Sequence, residues 1–222
     1  MDMVRAVLEQ GRLALNEFES KELLRSRGLP VVAGELVRDR DRVGEAVRRV
    51  GLPVAMKAVD SSLAHKSEKG LVRLNVRGEQ DAVRTWEELA LAVTGPDGGI
   101  LIESMASGPR ELMMGLSRDE KFGPCVAFGL GGVLTELHRD IVFRMAPLRR
   151  EIALDMLEGI RGAGILQPFR GWPGANRERL ADMLVRLGRI GEEEPRIASI
   201  DLNPVILQGG EPVVADALIL LE

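Results

Sequence analysis

The heptapeptide AHKSEKG, residues 64 to 70, sets His65 beside Lys66 with serine and glycine nearby, in a chain that has only two histidines. Near neutral pH a histidine offers an unprotonated ring nitrogen that can attack phosphorus. A lysine can neutralise phosphoryl oxygens, and Ser/Gly backbone N–H groups can turn inward around an anion. Read alone, the stretch serves either as a solvated polar turn or as a phosphate-handling loop. Just upstream, PVAMKAV alternates so that Lys57 shares a strand face with Ala55 and Val59. Unless that face is solvated, a charge there needs a partner or an anionic ligand. GLGGVLTE, residues 129 to 136, follows the apolar run CVAF, and its Gly129, Gly131 and Gly132 suit a tight turn or a close approach to phosphate. It matches neither GxxxxGK[ST] nor GxGxxG at the start of a helix. SIDLNPV places Asp201 and Asn203 two residues apart, on one face of a strand, and VVADAL adds Asp216. Carboxylate and amide oxygens are hard donors that suit Mg2+ shared with substrate phosphates, although Asp201, close to Pro204, could equally cap a turn.

The elements that must position these residues are legible from periodicity and breakers. LNEFESKELLRSRGLP reads as a helix starting at Asn16 or Glu17 and stopped at Gly28, followed by a strand over 31–37. DRDRVGEAVRRVG reads as a helix with Val43, Ala46, Val47 and Val50 on one face. LPVAMKAV and LVRLNV are strands flanking the polar loop 60–70, and EQDAVRTWEELALAV is a helix ended by the glycines of 95–99. These make a small α/β lobe. A second lobe begins with GILIESM and RELMMGLSRD, predicted to be an antiparallel pair joined by a Ser-Gly-Pro turn. PCVAFGLGGV and IVFRMA follow as strands, then a helix from near Leu148 and another after Asn176. IASIDLNPVILQGGEPVVADALIL closes the chain as two strands around Gly209-Gly210. Two lobes joined by a short glycine-bearing hinge predict a cleft.

Composition narrows the function. The chain has 222 residues, with 30 basic against 34 acidic side chains and a net charge of -4, and its basic residues form no stripe. That balance argues against nucleic acid or anionic lipid as a partner. Cys125 is the only cysteine and lies in the apolar run PCVAFG, which predicts a small hydrophobe and not a nucleophile. The N-terminus MDMVRAVLEQGR lacks a signal-peptide pattern and no segment nears the roughly 20 apolar residues of a membrane span, so a cytoplasmic setting is expected.

The order of these motifs resembles the ATP-grasp-type β subunits of ADP-forming acyl-CoA synthetases, the acetate–CoA ligase group, and more distantly the β subunit of succinyl-CoA ligase. The resemblance runs from LNEFESKELLRSRGLP through PVAMKAVDSSLAHKSEKGLVRLN and ELMMGLSRDEKFGPCVAFGLGGVLTELHRDIVFRMAPL to IDLNPVILQGGEPVVADALI. It implies an α+β, ATP-grasp fold: an N-terminal helical segment (1–28) and two subdomains (29–97 and 98–222) with a nucleotide cleft between them. It also implies ATP/ADP and Mg2+ as ligands, and a CoA-binding α subunit as partner in a hetero-oligomer such as α2β2. By position, Lys57 is similar to the family lysine on the phosphates, Glu103 to the acid at the adenine edge, and Glu111 to the acid near the ribose. Gly131 and Gly132 match the phosphate-side loop. Asn203 and Asp216 match magnesium ligands, with Asp201 as their acidic neighbour. His65 matches the histidine that carries a phosphoryl group between a phosphohistidine of the α subunit and ADP, with Lys66 assisting.

Three positions depart from the family pattern: Gly70-Leu71 where a glycine pair is common, Leu218 where Asp-Ala is commonly followed by arginine, and His138, read as surface or structural. Two competing functions share the fold. One is a carboxylate–amine ligase working through a direct acyl phosphate, which needs no His65. The other is a non-catalytic nucleotide-sensing subunit.

Overall fold

The computed structural model describes residues 3–61, 70–132 and 140–222, so His65, Lys66 and His138 lie outside the described residues. The chain divides into two units. The smaller takes residues 15–19 and 32–105, and the larger takes 1–14, 20–31 and 106–222.

The smaller unit is built on a four-stranded antiparallel sheet in the order β2 (Gly34–Val37), β5 (Gly99–Ser104), β3 (Val54–Val59), β4 (Val72–Val76). Val43, Ala46 and Val47 fall on one side of α3 (Val43–Val50), and Ala82 and Leu89 on one side of α4 (Glu79–Ala90). These stripes pack against Val54, Met56, Ala58, Ile100 and Ile102 to form one apolar core. Asp39 accepts a hydrogen bond from the Asp41 N–H and starts the 3-10 turn Arg40–Arg42 that leads into α3. The β3 face that carries Met56 is thereby committed to the core, and Lys57, one residue on, is turned to the opposite face.

In the larger unit, α1 (Met3–Glu9) precedes a seven-stranded sheet. Its order is β1 (Ala14–Leu15), β11 (Leu218–Leu221), β9 (Ile197–Gln208), β6 (Glu111–Asp119), β7 (Gly123–Leu130), β8 (Ile141–Met145), with β10 (Glu211–Val214) also paired to β9. Helices α5 (Arg150–Gly159) and α6 (Arg177–Glu193) pack on this sheet. Asn176 caps α6 by accepting from the Arg179 N–H at 3.1 Å. Gly191 allows α6 to lie close, since a Cβ there would meet Leu116 Cδ1 at 2.5 Å. Helix α2 (Glu17–Ser26) gives its first residues to the smaller unit and the rest to the larger.

Two expectations need correction. Segments 99–104 and 110–119 do not form a hairpin: β5 pairs with β2 and β3, whereas β6 pairs with β7 and β9. Both edges of each strand are taken by these partners, and the Ser-Gly-Pro segment links different sheets. Nor is the C-terminal run two strands. Residues 215–217 break it, and a third strand, β11, follows on the same edge of β9 as β10.

Candidate functional site

In the smaller unit the central group is Lys57. β3 is an interior strand with all six residues buried, and Lys57 as a whole is 8% exposed. It meets Glu17 Oε1 at 2.5 Å and Glu103 Oε2 at 3.2 Å. Glu17 comes from the first turn of α2, and Glu103 from β5, where it pairs across with Ala55. Both carboxylates are nearly inaccessible. A cation on an apolar strand face does need partners, as the alternation of PVAMKAV expects, and they are two carboxylates. The sequence offers Glu17 only as a possible helix start, because nothing local connects it to a lysine 40 residues away. Gly34 lies against the Glu103 side chain, where a Cβ would meet Cγ at 2.8 Å.

The two ends of the segment that contains His65 are fixed to the same sheet. Asp60, buried at the end of β3, accepts from the N–H groups of Thr94 (2.9 Å) and Gly95 (2.5 Å). Asp97 accepts from the Ser61 N–H at 3.1 Å, and from its hydroxyl. On the far side, Gly70 has φ +67°, and the Leu71 carbonyl accepts from the Ala58 N–H at 3.0 Å. The Leu71 side chain packs on the core, which accounts for leucine at that departure from the family pattern.

The larger unit gathers the other candidates. Gly131 follows β7, and its N–H donates to the Glu111 carbonyl at 2.9 Å. A Cβ on Gly131 would lie 2.4 Å from the Leu112 carbonyl oxygen, so this glycine is required by backbone packing. Gly132 has φ +60°, and a Cβ there would fall 1.9 Å from Glu111 Oε2. Its N–H donates to Asn203 Oδ1 at 3.0 Å. Glu111, Gly131, Gly132 and Asn203, scattered over 93 positions of sequence, therefore form one cluster.

Asp216 joins it through strand register. Val214 pairs with Val205 and Leu218 with Asp201, so the register is unchanged across the interruption at 215–217. Asp216 thus falls opposite Asn203, although it is not itself in a strand. The Ala215 N–H donates to the Pro204 carbonyl at 3.0 Å, and Asp216 Oδ1 accepts from the Ala217 N–H at 2.9 Å. Ile200, Leu202 and Ile219 are buried on one sheet face, which leaves Asp201, Asn203 and Asp216 on the other. Partial desolvation pushes the Asp201 carboxyl above its ordinary range, and the residue opposite is the exposed Leu218. Among the described residues no group of three or more His, Cys, Asp or Glu is close enough to hold a metal by itself. The donors at hand are two carboxylates and an amide oxygen. They fit Mg2+, which takes few protein oxygens and completes its shell with phosphate and water.

The ATP-grasp domain family matches residues 6–221. The β subunit of ADP-forming acetate–CoA ligase I from Pyrococcus furiosus is 34% identical over 225 residues, covering 98% of this chain and 97% of that one. The chain belongs to the ATP-grasp family, among the β subunits of ADP-forming acyl-CoA synthetases. A solved structure of the dinucleotide-forming acetyl-coenzyme A synthetase 1 of Candidatus Korarchaeum cryptofilum, with coenzyme A, Ca-AMPCP and HgCl+, superimposes with a TM-score of 0.94 at 38% identity. It covers 100% of this chain and 99% of that one. Another structure of that synthetase holds coenzyme A and Mg-AMPPCP, with its phosphohistidine segment pointing towards the nucleotide binding site (TM-score 0.89, 38% identity, 100% and 99% covered). The family and fold expected from the motifs are borne out. For this ATP-grasp chain, no helix among the described residues is long and apolar enough to cross a membrane.

Proposed function

We propose that this chain is the nucleotide-handling β subunit of an ADP-forming acyl-CoA synthetase. It moves a phosphoryl group between a phosphohistidine of a CoA-binding α subunit and ADP, in the overall exchange of acyl-CoA, ADP and phosphate for carboxylate, CoA and ATP. The observation that carries this reading is the convergence of Glu111, Gly131, Gly132, Asn203 and Asp216 in a chain that matches such β subunits end to end. An α2β2 assembly in the cytoplasm fits the reading.

In this scheme ADP and ATP are the substrates of the chain. The Gly131-Gly132 turn gives the phosphate chain close access to backbone, with Glu111 placed for the ribose. Lys57 neutralises phosphoryl oxygens once one of its two carboxylates yields, and Glu103 borders the adenine. Asn203 and Asp216, with Asp201 beside them, would hold Mg2+, which supplies charge neutralisation to the phosphates when bound. His65 is nucleophile towards the partner's phosphohistidine and leaving group towards ADP, and Lys66 helps neutralise the phosphate in transit. A direct carboxylate–amine ligase would leave His65 without a task, and a pure sensor would not need it either.

The test separates binding from transfer. Asn203→Ala and Asp216→Ala should each weaken Mg-ADP in calorimetric titration while the fold persists, and unchanged affinity in both overturns the metal assignment. His65→Ala should bind ADP as the wild type does yet form no labelled ATP from a labelled phosphohistidine partner. ATP formed at the wild-type rate overturns the carrier role.

A further inference from the structure

Lys21 is among the largest fully buried side chains of the described residues and lies on α2 with its charge out of reach of solvent. Its Nζ donates to the Ala215 carbonyl at 2.8 Å, 194 residues away in sequence. Removing an ammonium from water is costly even after relaxation.

What Lys21 grips is the link between β10 and β11. The Ala215 carbonyl and the Asp216 N–H belong to one peptide plane, so fixing that oxygen fixes the plane from which the Asp216 side chain departs. The two preceding planes are held too, because the Ala215 N–H donates to the Pro204 carbonyl at 3.0 Å and the Val214 N–H to the Pro30 carbonyl at 2.9 Å. Ala215 is thus secured at both its donor and its acceptor, immediately before the residue that lies opposite Asn203.

We propose that Lys21 is a positioning residue for magnesium binding, acting through the Ala215–Asp216 peptide to aim the Asp216 carboxylate at the metal. The proposal rests on the reading of Asp216 as a magnesium ligand. Residues that orient a metal ligand are typically worth about 10–100-fold in metal affinity. Asp216 lies on the link between β10 and β11, and Lys21 adds a hold on the peptide before it to the Ala215–Pro204 bond.

The experiment is a mutant cycle on the purified chain: wild type, Lys21→Met, Asp216→Asn and the double variant. ADP binding is titrated against Mg2+ concentration, and hydrogen exchange is followed over 211–218 without nucleotide. Lys21→Met should raise the Mg2+ needed for half-maximal binding roughly 10-fold and speed exchange in 211–218, yet add nothing once Asp216 is replaced. An equal shift in both backgrounds, or unaltered exchange, overturns the positioning role. An Asp216→Asn variant with the wild-type Mg2+ requirement overturns the metal-ligand reading instead, and the exchange result still judges whether Lys21 holds the link. Should Lys21→Met fail to fold, Lys21→Gln, which keeps a donor without the charge, enters the same cycle under the same criteria.

Discussion

Replacing Lys57 by methionine should destabilise the nucleotide-free protein more than replacing Glu17 by glutamine, and the geometry sets the order. At an effective dielectric of about 20, N···O separations of 2.5 and 3.2 Å correspond to roughly 7 and roughly 5 kcal/mol of gross attraction. Desolvation of three buried charges offsets most of this, so neither figure is a net gain. Lys57→Met removes the cation that both carboxylates share, a change of the kind that costs about 3–5 kcal/mol. Glu17→Gln keeps an acceptor for the ammonium and leaves Glu103 in place, so the loss should be that of a charge-assisted hydrogen bond, about 1.5–3 kcal/mol. For a chain of this length each kcal/mol shifts Tm by roughly 2–4 °C. Thermal unfolding at neutral pH without nucleotide reads both variants. A Lys57→Met protein as stable as wild type, or less perturbed than Glu17→Gln, would refute the shared-cation argument.

Three further outcomes follow from single contacts. Gly132→Ala should cost about 1–3 kcal/mol for its positive φ and displace the Glu111 carboxylate, weakening Mg-ADP in titration; Gly131→Ala should be harsher, because the Leu112 backbone cannot move aside. Burial pushes the Asp140 carboxyl up, but the N–H groups of Gly162 and Arg161 and the Arg161 charge outweigh it and hold the pKa below the ordinary range. Its stabilisation is therefore complete above the unfolded value of about 3.9 and lost as pH falls through the lower folded value, so the Tm gap between wild type and Asp140→Asn should close in acid. Partial burial, and then Asp119, push the Cys125 thiol up, so iodoacetamide should label the native protein more slowly than the unfolded one near neutral pH, read by mass spectrometry.

The sequence by itself determined the features that depend on near neighbours. Val43, Ala46 and Val47 recur at helical spacing, so α3 and its buried stripe are legible without coordinates. The same holds for the start of α6 after Asn176, the Gly209-Gly210 turn, and the placing of Asp201 and Asn203 on one strand face. The alternation around Lys57 says that its charge, unless that face is solvated, needs a partner or an anionic ligand. It cannot name Glu17, because an α2 residue reaches β3 only after the chain between them has folded. Likewise β5 looks from its composition like one arm of a hairpin with β6, and only the competing edges of β2, β3, β7 and β9 decide that it is not. Asp216 stands opposite Asn203 because β10 and β11 keep one register along β9 across a break that periodicity does not reveal. Lys21 reads as one more polar residue on an amphipathic helix, and its burial against Ala215 exists only once the last strands are in place. Local pattern fixes which face a side chain takes, since that follows from backbone geometry. Which distant group it meets is fixed by long-range pairing, where the strands compete for the same edges and buried charges for the same partners.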